Sequence, residues 1–171
     1  STVINNRVID NAAVAIGINS GWVVHLSANE LSRKEGLPPI VMVHDGADAT
    51  FTDNIIRGGG VAGIRVAGKI RVLNNEFVGT SLRKRGPPNN AIWALSGSVV
   101  TMTANKIHGW RHGLHATEAS VSANKNTVSN FSSSAFVIHS STSPNNIHDN
   151  IAISQNPNDK AVSISGDAVI V

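Results

Sequence analysis

The stretch Val72-Leu73-Asn74-Asn75-Glu76-Phe77 decides the fold, because its pattern is written repeatedly along the chain. An apolar residue, two spacers, an asparagine, one spacer and a second apolar residue also make up Val3-Ile4-Asn5-Asn6-Arg7-Val8, Leu26-Ser27-Ala28-Asn29-Glu30-Leu31 and Phe51-Thr52-Asp53-Asn54-Ile55-Ile56. The pattern returns in Met102-Thr103-Ala104-Asn105-Lys106-Ile107; Ile147-His148-Asp149-Asn150 keeps its first half, and Val121 to Val128 carries it with two extra residues before Asn126. The asparagines at 6, 29, 54, 75, 105, 126 and 150 lie 23, 25, 21, 30, 21 and 24 residues apart, an average of 24. A period of that length marks a solenoid, in which each repeat buries its apolar edge only against its neighbours.

Around each asparagine the apolar residues alternate with a period of two, as strands require. Second strands are expected at Val14-Ala15-Ile16, Val41-Met42-Val43, Ile64-Arg65-Val66, Ile92-Trp93-Ala94, Leu114-His115-Ala116, Phe136-Val137-Ile138 and Val162-Ser163-Ile164. Third strands lead into the next asparagine, as in Val24-His25-Leu26, Ile70-Arg71-Val72 and Val100-Thr101-Met102. In each triplet the outer residues face the core and the middle one faces solvent. The expected fold is therefore all-β: a single-stranded parallel β-helix of about seven coils, three short strands to a coil. It forms one domain over residues 1–171, starting in mid-repeat as a trimmed product or a piece of a longer solenoid would. Asparagine suits the corner on two counts: it tolerates the left-handed conformation, and its amide can bond the same group one coil up and one coil down. Asn6, Asn29, Asn54, Asn75, Asn105, Asn126 and Asn150 are thus expected to stack as a ladder.

Composition agrees. Valine and isoleucine number 36 against seven leucines, which favours strands and argues against leucine-rich repeats of similar period. Aromatics supply only 4% of the chain, so small aliphatic side chains are expected to fill the core. The absence of cysteine excludes disulfides and thiolate metal sites. No apolar run is long enough to cross a bilayer, and the first residues lack the order of a secretory signal. A net charge of +3 modestly favours neutral or acidic partners.

These repeats resemble the pectate-lyase-like right-handed parallel β-helix superfamily, particularly the repeat type of carbohydrate-binding proteins and sugar hydrolases. The resemblance covers almost the whole chain. It implies a secreted, periplasmic or cell-surface protein and a polysaccharide partner. The superfamily spans lyases, hydrolases, uronate epimerases, phage tailspikes and noncatalytic surface proteins, so function has to be argued from a site.

Two coils carry insertions leaving from the same side, Ser32 to Pro39 and Thr80 to Asn90, and the second holds the cationic run Arg83-Lys84-Arg85. The outward ladder of the second strand reads Ala15, Met42, Arg65, Trp93, His115, Val137 and Ser163. Coil stacking sets Arg65, Trp93 and His115 side by side: a stacking platform for a sugar ring, flanked by groups that bind carboxylate or hydroxyl. The alternative is that the neighbouring insertion covers Trp93 as a local core. The expected function is carbohydrate binding, of an anionic polysaccharide, on that face, with Arg83, Lys84, Arg85, Lys69 and Arg111 contributing charge. The alternative function is a polysaccharide lyase or uronate C5-epimerase, with His115 as base, His112 beside it and Arg65 or Arg111 clamping the carboxylate. A structural segment of an adhesin or tailspike stands third.

His44, Asp45, Glu118, His139 and Asp167 share the edge leading to the third strand, where Asp45 and Glu118 lie too far apart to act as a hydrolase pair. His112, His115 and His139 form only a weak metal set, because His112 precedes its strand and their side chains need not converge. No metal or other cofactor and no nucleic-acid partner is implied. Without obvious polar caps at its ends, the solenoid is expected to associate end to end through Val14 to Ile16 and Val169 to Val171.

Overall fold

The computed structural model describes residues 1–10, 13–34, 36–58, 60–80, 89–141 and 143–167. Among these there is no helix, and the strands form three parallel sheets of seven strands each. The first sheet stacks Thr2–Ile4, Val23–Ser27, Asp48–Thr52, Lys69–Leu73, Val99–Thr103, Ser120–Asn124 and Asn146–His148. Each of these runs into a ladder asparagine and then into a strand of the second sheet: Arg7–Val8, Glu30–Arg33, Ile55–Gly58, Glu76–Gly79, Lys106–His108, Thr127–Ser129 and Ile151–Ile153. The third sheet, reached after a longer connection, holds Ile16–Ile18, Val41–Val43, Ala62–Val66, Asn90–Ala94, His112–Thr117, Ser134–His139 and Lys160–Ser165. The chain is a three-sided β-solenoid, as its repeat requires.

The asparagine corner binds one coil to the next. Asn29 Oδ1 accepts from the backbone N–H and the side-chain amide of Asn6, at 2.9 and 3.0 Å, and the same pair of bonds joins Asn29 to Asn54 at 3.0 and 2.9 Å. It repeats from Asn54 to Asn75, Asn75 to Asn105, Asn105 to Asn126 and Asn126 to Asn150. Each amide from Asn29 onward also donates back to a carbonyl of the preceding coil, Phe51 for Asn75 and Val72 for Asn105. These groups are therefore buried without loss of partners: Asn54, Asn75 and Asn105 are each 1% exposed. The left-handed residue, however, is not the ladder asparagine but the one before it: Asn5, Ala28, Asp53, Asn74, Ala104, Lys125 and Asp149 all have φ between 53° and 57°. The division follows from geometry, since the residue that makes the bend turns its own side chain outward and only the next one points along the stack.

Three expectations shift. In the first coil the third-sheet strand is Ile16–Ile18, so Gly17, not Ala15, stands in register with Met42. A slip of two residues preserves the in-out alternation, so periodicity cannot detect it. Val121 to Val128 contains no extra residues, because Ala123 pairs with Met102 and takes the inward apolar place itself. Ser32 and Arg33 belong to a strand rather than to the first insertion, with Ser32 opposite Arg57.

The core is one column of inward side chains, with Leu26, Phe51, Val72 and Met102 following one another in register along the first sheet. Scarce as they are, most of the aromatics go inside, Trp22 and Trp93 excepted: Phe51, Phe77, Phe136 and Trp110 are among the largest fully buried side chains. The core is thus not filled by small aliphatics alone. Aromatic rings bury the most area per residue, and the interior accepts Phe77 where Gly63 faces it: a Cβ on Gly63 would lie 3.3 Å from the Phe77 ring.

Candidate functional site

The outer face of the third sheet brings together the side chains that carry the functional argument. Trp93 is in register with Arg65 on one side and His115 on the other, and Met42 and Val137 extend the row. Alternation places these residues outward between the buried pairs Ile64 and Val66, Ile92 and Ala94, Leu114 and Ala116. Arg65, Trp93 and His115 are half-buried, and the Arg65 guanidinium lies 5.5 Å from the centroid of the Trp93 ring. A guanidinium over an indole is attracted by the ring's quadrupole and limits the freedom of both side chains.

His112 and His115 do converge, contrary to the expectation that their side chains need not meet. His112 opens its strand, and the two rings meet edge to face with centroids 5.4 Å apart. The cause is a break in alternation: Gly113 and Leu114 both face the core. A Cβ on Gly113 would lie 2.9 Å from the Val128 side chain and 2.7 Å from the Ala135 carbonyl, so the site admits only glycine. Two inward residues in succession return the flanking histidines to one side. His112 is 8% exposed, and its Nδ1 lies 2.8 Å from Asn90 Oδ1. As the carbonyl oxygen can only accept, Nδ1 is the protonated nitrogen of neutral His112.

Burial, then the neighbouring His115 and the charge of Arg111, push the His112 imidazole down to about 4. Burial first, then His139 and Arg111, lower His115 as well. Both rings are therefore neutral at physiological pH. His115 Nδ1 is buried and has no hydrogen-bond partner among the described residues. His139, on the next coil, lies 2.8 Å through Nδ1 from Ser165 Oγ. Among the described residues no three His, Asp or Glu side chains are grouped as a metal site needs.

The other expected residues fall elsewhere. Lys69 opens a strand of the first sheet, in register with Asp48 and Val99, and the turn through Ala67 and Gly68 separates it from Arg65. Arg111 stands immediately before the His112 strand and is half-buried. Arg83, Lys84 and Arg85 lie outside the described residues. At the solenoid edge, Glu118 and Asp167 line one shallow groove of about 460 Å³ with Ser96, Gly97, Ser140 and Ser141, while Asp45 takes no part in it.

Asn90 opens a strand rather than closing the second insertion; it and Asn89 are fully buried, and the Asn89 amide donates to the Gly60 carbonyl at 2.9 Å. A register signal existed: Ala62, Asn90, His112 and Ser134 occupy one position of successive coils. A buried polar column there points to mutual hydrogen bonding.

The family model for right-handed β-helix regions matches residues 39–171. The chain belongs to that family, whose repeated coils are the ones described above. Searches of curated proteins and of solved structures found no match.

Proposed function

We propose that the outer face of the third sheet binds an anionic polysaccharide. One observation carries this reading: a cation, an indole and an imidazole stand in register on consecutive coils, the cation already packed on the indole. Coils repeat at about 4.8 Å, close to the length of a sugar unit, so a chain laid along the solenoid axis meets one side chain per residue. The indole supplies a stacking surface, and Arg65 supplies fixed positive charge for a uronate or sulfate. Because the pair is held before ligand arrives, less side-chain entropy is lost on binding. The cationic run Arg83-Lys84-Arg85 precedes the Trp93 strand in sequence and adds attraction that salt screens.

Titration of alginate, pectate and glycosaminoglycans by calorimetry tests the reading. Trp93→Ala is expected to weaken binding about tenfold or more, and Arg65→Ala to weaken it most at low salt. Equal affinity in wild type and both variants, or no binding to any glycan, would overturn it.

A second reading, uronate lyase or C5-epimerase, is favoured by a separate observation. The depressed imidazoles of His112 and His115 keep a base in its proton-accepting form at neutral pH beside the Arg111 charge. On that reading His115→Ala abolishes the ultraviolet absorbance of an unsaturated product, or the exchange of the C5 proton with solvent, while leaving binding nearly intact.

A further inference from the structure

The outward row of the third sheet changes chemistry from each coil to the next. Met42, Arg65, Trp93, His115 and Val137 stand in register on five successive coils, each half-buried between two inward neighbours. Thioether, guanidinium, indole, imidazole and isopropyl groups follow one another, so apolar side chains occupy alternate coils and polar ones fill the coils between. The strands that carry the apolar members, Val41–Val43, Asn90–Ala94 and Ser134–His139, contain no Asp, Glu, Lys or Arg. Arginine enters at the other two: Arg65 within Ala62–Val66, and Arg111 immediately before His112–Thr117. Arg111 is near enough to His115 for its charge to act on that imidazole. One outward position further along, Ala67, Leu95 and Thr117 add no charge to the three middle coils. Arg83, Lys84 and Arg85 lie outside the described residues and are no part of this row.

Successive coils are about 4.8 Å apart, so the chemical period of this row is two coils, roughly 10 Å. With one sugar unit to a coil, that is the length of a disaccharide. We infer that the glycan is an alternating copolymer in which each acidic unit is followed by a neutral one, an inference that rests on the reading of this face as an anionic-glycan site.

Acidic units fall opposite Arg65 and opposite His115 with Arg111, where a carboxylate or sulfate meets a guanidinium. Neutral units fall opposite Met42, Trp93 and Val137, where the apolar faces of the sugar rings pack on thioether, indole and isopropyl groups. A polymer charged on every unit fits worse for a definite reason. Its intervening carboxylates lose water against apolar side chains with no cation opposite, and that penalty separates two ligands that share the same acidic positions. Salt sharpens the distinction. Attraction at a distance favours the more highly charged chain and is screened, whereas the loss of water at contact is not.

Calorimetric titration with oligosaccharides of matched length tests this. The probes are a hyaluronan hexasaccharide, in which glucuronate alternates with uncharged N-acetylglucosamine; hexagalacturonate, charged on every unit; and cellohexaose, charged on none. At about 0.15 M salt the alternating oligomer is expected to bind about tenfold or more tighter than either of the others, and its advantage over hexagalacturonate is expected to widen as salt rises. Met42→Lys and Val137→Lys, both at outward positions, set a cation opposite a neutral unit. Each is expected to narrow that advantage about threefold or more, with the circular dichroism of the folded chain unchanged. Hexagalacturonate bound as tightly as the alternating oligomer at high salt, or an advantage that neither lysine variant moves, would overturn the alternation and leave the face a glycan site. No binding to any of the three would overturn the alternation and, with the polymers titrated above also unbound, the reading on which it rests.

Discussion

Removing the amide of Asn75 would strand more than one group. Its Oδ1 takes two donors from Asn54, its Nδ2 serves Asn105 Oδ1 and the carbonyls of Phe51 and Leu73, and all of this lies in a 1% exposed corner. Asn75→Ala is expected to lower stability by about 2 to 3 kcal/mol. Asn6→Ala, at the solvated end of the ladder, is expected to cost under about 1 kcal/mol, because water replaces the lost bonds. Chemical denaturation of both variants checks the contrast; equal losses at centre and end would remove the ladder as the cause. His112 behaves differently, since its cost appears only on protonation. With its folded-state value near 4 against an ordinary 6.5, the unfolded chain takes up the proton first as pH falls. The contribution is fully present above pH 6.5 and is lost progressively between 6.5 and 4, by an amount on the order of 2 kcal/mol. Unfolding midpoints measured from pH 7.5 down to 4 are expected to fall less steeply in His112→Gln, and parallel curves would count against this assignment.

The strands were legible because alternation and the asparagine interval reinforce each other, and at this level the coil order, the parallel pairing and the outward row Met42, Arg65, Trp93, His115, Val137 and Ser163 were all readable. What stayed hidden were departures from alternation. The two-residue slip to Ile16–Ile18 leaves the period intact, and the inward pair Gly113-Leu114 that gathers His112 and His115 looks in sequence like an ordinary glycine before a strand. Arg33 was hidden for a related reason: a charged residue ahead of a proline-rich stretch reads as solvated loop. It is instead 3% exposed, and its guanidinium donates to the carbonyls of Ala13, Pro38 and Pro39. It thereby ties the end of the second-sheet strand Glu30–Arg33 both to the connection before Ile16–Ile18 and to the prolines entering Val41–Val43. Arg33→Met keeps the volume but leaves those carbonyls unpaired, so a loss of about 2 to 3 kcal/mol is expected, with faster proteolysis within residues 34–39. A midpoint within about 0.5 kcal/mol of wild type would mean that the prolines alone hold the connection.

For the whole molecule, the decisive property is that contacts join nearest coils and little else. Every strand pairs only with its equivalents one coil before and one coil after, so stability is built from coil-to-coil interfaces in series, as in other solenoids. A central coil such as that of Ile92 and Ala94 has two such interfaces and fully buried inward side chains, whereas the coil of Val162 and Ile164 has one and leaves both side chains exposed. Opening free energies are therefore expected to grade along the axis. Native-state hydrogen exchange should find the slowest amides in Ala62–Val66, Asn90–Ala94 and His112–Thr117 and the fastest in Ile16–Ile18 and Lys160–Ser165. Uniform protection along the axis would show that the solenoid unfolds as one cooperative unit.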